Sequence, residues 1–97
     1  MASNENYRLP TQQALEHASK IAVVEDKPIM LDYWTLSLDK KVMIGVRNDG
    51  EKLLVKSEDE YTSPISKIYN VGETDYLILT ENSIYIIDKD CPTSRIS

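Results

Sequence analysis

Apolar side chains recur at intervals of three and four positions in the first quarter of the chain. They are Ala14, Leu15, Ala18, Ile21 and Ala22. Residues at this spacing line one face of an α-helix. The Thr11 hydroxyl can accept a backbone N–H as a helix N-cap, and Pro28 disfavours helix in the residue before it. The pattern therefore predicts one amphipathic helix over residues 11–24.

The rest of the chain is divided by turn signals. The stretch "PIMLDYWTL", residues 28–36, is rich in aromatic and branched side chains and predicts a strand covered on both faces, with Trp34 as a core anchor. The turn "NDGE" predicts a hairpin between residues 41–47 and 51–57. A second hairpin joins "ISKIYNV" to "DYLILTE" across "GET", and "SIYIIDK" continues the meander.

Consecutive strands joined by short turns pair in antiparallel fashion. We therefore expect a single α+β domain over residues 10–90, with one N-terminal amphipathic helix packed on a curved antiparallel meander, or a small β-barrel, of five to six strands. Residues 1–9 are predicted to be a polar leader, and residues 91–97, "CPTSRIS", a polar C-terminal tail. A length of 97 residues and the lack of an internal repeat agree with one domain.

The charge balance narrows the class of partner. The chain carries a net charge of −5 and a sequence pI near 4.7. Proteins that bind the phosphate backbone need clustered lysine and arginine, whereas the seven lysines between positions 20 and 67 are interleaved with acids. We predict a protein partner or self-association, with nucleic acid disfavoured.

The sequence also bears on compartment. Cys91 is the single cysteine, so no intramolecular disulfide can form, which is typical of a reducing compartment. The N-terminal residues do not show the basic start and apolar run of a signal peptide, and no apolar run approaches the ~20 residues of a membrane span. We expect a cytoplasmic protein, intracellular or intraviral, with no membrane association.

The stretch "DKPIMLDYW", residues 26–34, resembles the strand that precedes the redox cysteines of thioredoxin-like proteins. In that family two cysteines bracketing Gly-Pro follow at fixed spacing and exchange disulfides. Leu38 and Lys41 stand at those positions in this chain. Neither side chain forms a thiolate, and a predicted hairpin takes the place of the family's long helix. Dithiol exchange is therefore excluded, and the resemblance, which covers only about nine residues, does not assign the chain to that family.

Other candidate chemistry is sparse. On the predicted strand Asp32 shares a face with Met30 and Trp34, and a carboxylate buried there would need hydrogen-bond partners. A small enzyme using Asp32 with a tyrosine or His17 is one hypothesis, and it requires a pocket around Asp32. His17 has no second metal ligand at helical spacing, and acids flank Cys91, so we predict no metal site, no cofactor and no enzymatic activity.

The remaining pattern favours an interaction surface. Tyrosine combines an apolar ring with a polar end and suits half-exposed interfaces. We predict a non-enzymatic protein–protein interaction or structural module, such as a small component of a virus particle. The alternative is an acidic regulator or inhibitor that masks a basic, nucleic-acid-binding surface. The candidate interaction residues are Tyr7, Glu58, Asp59, Glu60, Tyr61, Tyr69 and Tyr85, with Asp32 and Trp34 to be inspected.

Overall fold

The structure is a computed structural model that describes residues 8–96. It confirms the α+β class, with one long helix and two sheets of four and three strands. The elements are α1 (Gln12–Glu25), β1 (Ile29–Met30), α2 (Trp34–Leu38), β2 (Met43–Val46), β3 (Lys52–Val55), β4 (Ile65–Val71), β5 (Asp75–Thr80), β6 (Ile84–Asp88) and β7 (Thr93–Arg95).

Helix α1 forms where the apolar spacing predicts it. Thr11 is its N-cap, and the Thr11 hydroxyl accepts the backbone N–H of Ala14 at 3.1 Å. Ala14 and Ala18 are fully buried against the four-stranded sheet. The helix ends at Asp26, which takes the left-handed conformation at φ 57°. Leu15, expected on the buried face, is instead 38% exposed.

Both predicted hairpins are confirmed. Strands β2 and β3 pair in antiparallel fashion around a turn that contains Gly50 at φ 91°, and β4 and β5 do so around Gly72 at φ 63°. Glycine adopts these left-handed angles without a steric penalty, which is why each turn forms at a glycine. Strand β6 then pairs in antiparallel fashion with β5, as the predicted meander requires.

The strand predicted over residues 28–36 is wrong. Only Ile29–Met30 are extended, at the edge of the four-stranded sheet, and α2 begins at Trp34. Short apolar runs fit a strand or a buried helical turn equally well, and here Trp34 and Ser37, three positions apart, form the buried side of α2. The prediction that Trp34 anchors the core is confirmed, since its side chain is only 6% exposed.

The single antiparallel meander or barrel is also corrected. There are two mixed sheets, in the orders β1-β6-β5-β4 and β3-β2-β7, and neither closes into a barrel. Strand β1 is parallel to β6, and β7 is parallel to β2. Strand β7 lies in the segment expected to be a polar tail. Its three residues are all exposed, so they show none of the apolar alternation by which strands are recognised.

The four-stranded sheet forms the middle layer of the molecule. One of its faces packs against α1, and the other packs against the three-stranded sheet. Leu77 and Ile86 belong to the first core, whereas Ile78 and Ile87 belong to the second, as the alternation of side chains along a strand requires. The surfaces left open are therefore the outer face of the three-stranded sheet and the edges of both sheets.

Candidate functional site

A polar cluster ties the start of the described chain to both sheet and helix. The Arg8 guanidinium nitrogen Nη2 lies 2.8 Å from Asp75 Oδ1 and 2.7 Å from Asp88 Oδ1. The same group lies 4.8 Å from the centre of the Trp34 ring, and the Trp34 indole N–H donates to the Arg8 carbonyl at 2.9 Å. Burial acts to lower the pKa of Arg8, but the two carboxylates outweigh it and raise the pKa.

Asp75 is the buried centre of this cluster. It is 0% exposed, and its Oδ2 accepts the Thr11 backbone N–H at 2.8 Å and the Thr11 hydroxyl at 3.1 Å. Its other oxygen faces Arg8 as an ion-pair contact outside hydrogen-bond geometry. Through these contacts the cluster joins the start of α1 to β5. Sequence reasoning missed Asp75, since its partners are about sixty positions away.

The inspected acid Asp32 lies elsewhere. It is exposed on the turn between β1 and α2, so the expectation of a carboxylate buried on a strand fails together with that strand. The His17 ring lies 5.4 Å from the Tyr69 ring, on the exposed side of α1. Neither residue lines the larger cavity of the molecule.

The candidate tyrosines are dispersed. Tyr69 is half-buried against the α1 core, and Tyr85 is half-buried in the core between the two sheets, where it meets Tyr33 edge-on at 5.2 Å. They therefore occupy opposite faces of the four-stranded sheet. Tyr61 is 53% exposed and lines the larger cavity. The remaining candidate, Tyr7, lies outside the described residues.

The three candidate acids Glu58, Asp59 and Glu60 lie in an exposed loop after β3. The Ser57 hydroxyl accepts the backbone N–H groups of Asp59 and Glu60, each at 3.2 Å, which fixes the loop. Glu60 also forms an ion pair with Lys56 at 3.7 Å. The structure brings only Glu58 and Tyr61, of the predicted interaction residues, to the same cavity.

That cavity, which we call the basic groove, has a volume of about 710 Å³ and lies on the three-stranded sheet. Its apolar floor includes Leu53 and Val55, whereas the alternating residue Leu54 packs in the core between the sheets. The groove therefore lies on the outer face of the three-stranded sheet. Its lining residues are Lys40, Lys41, Val42, Met43, Arg47, Leu53, Val55, Lys56, Ser57, Glu58, Tyr61, Pro92 and Ile96.

Gly45 allows the floor of the groove to close. A Cβ at this position would lie 2.8 Å from Ile96 Cδ1 and 3.0 Å from Val55 Cγ2. The first distance is shorter than real Cβ contacts and the second is tight, so a side chain at position 45 would require Ile96, and to a lesser extent Val55, to move. The backbone N–H of Ile96 donates to the Val46 carbonyl at 2.8 Å and holds the residue after β7 in place.

The charge of the basic groove opposes that of the whole chain. Four cations and one carboxylate line it. Two of the cations have acidic neighbours, since Arg47 pairs with Glu51 at 3.5 Å and Lys56 pairs with Glu60. With these two acids included, the groove carries a net +1 on a chain of net −5.

The outer edge of β4 is a second open surface. At seven residues β4 is the longest strand of the described chain. Within residues 8–96, the side of β4 that faces away from β5 pairs with no strand. Lys67, Ile68 and Asn70 are exposed along it, and the register shifts between Ile65 and Lys67. This edge offers unpaired backbone groups to an added strand.

Cys91 is a buried thiol. Its Sγ–H donates to the Val42 carbonyl at 3.0 Å, and burial, aided by the nearby charge of Asp88, raises its pKa to about 11. The thiol pKa is higher in the folded than in the unfolded chain. Its contribution to stability is therefore present below pH 9.0 and is lost as the pH rises toward 11.

We expect Cys91 to react slowly with Ellman's reagent in the folded protein. Near neutral pH its thiolate fraction is about a hundredfold smaller than that of an unfolded thiol of pKa 9.0, and burial further restricts access. The release of thionitrobenzoate measures the rate, with the same reaction in guanidinium chloride as the control. Equal rates in the folded and unfolded protein would show that the thiol is open.

Two structural absences apply to the described residues. Residues 8–96 contain no group of three or more His, Cys, Asp or Glu side chains placed to hold a metal ion. None of the helices in this part of the chain has the length and apolar character needed to cross a membrane. In comparisons with known proteins, no protein-family model, no curated protein and no solved structure matches the chain.

Proposed function

We propose that the protein is a non-enzymatic interaction module, a small structural component of a larger assembly such as a virus particle. The observation that carries the proposal is the outer edge of β4, Ile65–Val71, which no other strand of residues 8–96 pairs with, on a sheet whose two faces are already covered. An extended segment of a partner protein can add to such an edge as a further strand, with main-chain hydrogen bonds providing affinity.

The side chains of β4 define what an added strand would meet. Lys67 and Tyr69 pair with Leu79 and Leu77, which face α1, so they flank the partner on the helix side. Ile68 pairs with Ile78 and lies on the opposite side, where it is 36% exposed. A partner strand would therefore contact a tyrosine on one face and an isoleucine on the other.

Features of the same edge argue against indiscriminate pairing. A lysine on an edge strand and a β-bulge both discourage sheets from joining edge to edge without selection. Lys67 and the register shift beside it supply both features in β4. The edge thus favours a partner that complements Lys67, and unlimited self-association is disfavoured.

Selection of peptides from a random display library tests the proposal. We expect enriched peptides to bind the wild-type protein and to bind the Ile68→Lys variant about tenfold more weakly, because a second lysine would meet the added strand. The matched control is Val23→Lys, the same kind of change on the outside of α1, where Val23 is 82% exposed. We expect this variant to bind like the wild type.

Two results would count against strand addition. One is a library that yields no binder to a protein shown by circular dichroism to be folded. The other is a set of enriched peptides whose affinity is the same for Ile68→Lys as for Val23→Lys. Light scattering on the free protein reports self-association separately, and a stable oligomer abolished by Ile68→Lys would identify a second copy as the partner at this edge.

A further inference from the structure

The basic groove joins an apolar floor to a cationic lining. Met43, Val55 and Ile96 are half-buried and supply its apolar surface, whereas Leu53, which also lines it, is only 2% exposed. Lys41, which follows α2, and Lys56, which follows β3, both line the groove. Its volume of about 710 Å³ falls within the range of about 300–1,000 Å³ typical of ligand pockets.

We propose that the basic groove binds a short acidic segment of a partner protein, with one apolar side chain of that segment on the groove floor. The proposal rests on the proposed function as an interaction module and specifies the chemistry of a second contact. Charge complementarity favours this occupant, because the groove, together with the acids that pair with its cations, carries a net +1 on a chain of net −5.

The apolar floor distinguishes a peptide from a nucleic acid. Single-stranded nucleic acids are bound by several aromatic side chains on which successive bases stack. Among residues 8–96, Tyr61 is the one aromatic residue that lines the groove, whereas Val55 and Ile96 supply accessible aliphatic surface. An aliphatic surface buries an apolar side chain and gives no stacking platform for a run of bases. The lining therefore fits an acidic peptide with an apolar anchor.

The carboxylates near the groove affect where the acidic side chains of a partner can bind. Glu58 lines it, and Glu60 is paired with Lys56 on the same loop. A partner carboxylate that approaches Lys56 competes with Glu60, so part of the attraction is offset. Lys40 and Lys41 lie on the connection from α2 to β2, away from the acidic loop in sequence, and we expect the acidic side chains of the partner to lie toward them.

The test is a titration of the isotopically labelled protein with synthetic peptides, followed by amide chemical shifts. We expect Glu-Glu-Leu-Glu-Glu to shift amides along Val42–Val46, Leu53–Lys56 and Ile96. A peptide with glycine in place of leucine should bind at least about tenfold more weakly, since it lacks the anchor. Lys-Lys-Leu-Lys-Lys and oligo(dT) should leave these amides unshifted.

Charge-reversal variants provide the matched control. We expect Lys41→Glu with Lys56→Glu to weaken binding of Glu-Glu-Leu-Glu-Glu by at least about tenfold. The control carries Lys20→Glu and Lys52→Glu, which change the net charge by the same amount at exposed positions that do not line the groove. This control should bind like the wild type. An equal loss in both double variants would indicate attraction to net charge alone and would overturn the proposal.

Other outcomes would also overturn the groove inference or separate it from the proposed function. Tighter binding of oligo(dT) than of the acidic peptide would identify a nucleic-acid surface, and concentration-dependent shifts of the groove amides in the free protein would identify a second copy as the occupant. Either result overturns the inference. If acidic peptides leave the groove unshifted while library-selected peptides still depend on Ile68, the groove inference fails and the proposed function stands. If the acidic peptide binds the groove and no library-selected peptide depends on Ile68, strand addition at β4 is overturned and the groove inference stands.

Discussion

Replacement of Asp75 by alanine is expected to lower the free energy of unfolding by about 3 kcal/mol, at the lower end of what breaking a buried ion pair costs. The Asp75 carboxylate is fully buried and accepts both the backbone N–H and the hydroxyl of Thr11. Its loss leaves those donors without a partner, and hydrogen bonds to charged groups contribute about 1.5–3 kcal/mol each. The expected loss of stability stays at this lower end because Arg8 keeps its ion pair with Asp88 and is partly exposed.

Urea unfolding followed by Trp34 fluorescence measures the loss, since the chain has one tryptophan. The control is Asp90→Ala, the same chemical change at an exposed position, for which we expect a change within about 0.5 kcal/mol. Asp75→Asn should fall between the two, because an amide oxygen can still accept from Thr11 but the amide carries no charge toward Arg8. A loss below about 1 kcal/mol for Asp75→Ala would show that the cluster does not hold α1 on the sheet.

Replacement of Trp34 by alanine is expected to lower the free energy of unfolding by about 3–5 kcal/mol, the usual cost of removing a large buried ring. Trp34 is only 6% exposed and packs with Leu77, Ile84 and other residues of the α1 core. The substitution also removes the indole donor to the Arg8 carbonyl and the ring beneath its guanidinium.

Far-UV circular dichroism during urea unfolding measures the effect of the Trp34 variants without a fluorescent reporter. Trp34→Phe keeps most of the buried ring but loses the indole donor, so we expect a smaller loss of about 1–2 kcal/mol. Tyr61→Ala is the control, an aromatic-to-alanine change at a residue that is 53% exposed, and it should cost less than about 1 kcal/mol. Equal losses for Trp34→Ala and Tyr61→Ala would contradict the assignment of Trp34 to the core.

Local signals were sufficient for much of the fold. Helix α1 follows from apolar spacing and the Thr11 cap, and each confirmed hairpin follows from a glycine turn, Gly50 in one and Gly72 in the other. Such features depend on residues within a few positions of one another. The class of the protein and the antiparallel part of its topology could therefore be predicted from the sequence.

Features that depend on distant residues could not be predicted. Strand β7 is polar and exposed, and it is a strand only because β2 lies beside it. Residues 28–36 carry an apolar run too short to separate strand from helix, so α2 was missed. The prediction that Trp34 lies in the core is nevertheless correct, because a large apolar ring is buried whether a strand or a helix carries it.

The candidate surfaces also combine features that nearby residues predict with features that depend on distant residues. Tyr61 and Glu58 were selected by composition and do line the basic groove, but its cations were not recognised as a group. Lys41 and Lys56 are fifteen positions apart and come together only because β2 and β3 pair. The free edge of β4 likewise depends on strand order, which neighbouring residues do not encode.

Backbone amide hydrogen exchange along β4 tests the central claim most directly. In the free protein, the Ile65–Val71 amides that face away from β5 should exchange rapidly, because no strand within residues 8–96 pairs with that edge. Saturation with a library-selected peptide should slow the exchange of those amides by at least about tenfold. The exchange rates of amides at the exposed end of α1 should stay the same. Exchange rates along β4 that stay the same in the saturated complex would contradict strand addition at this edge.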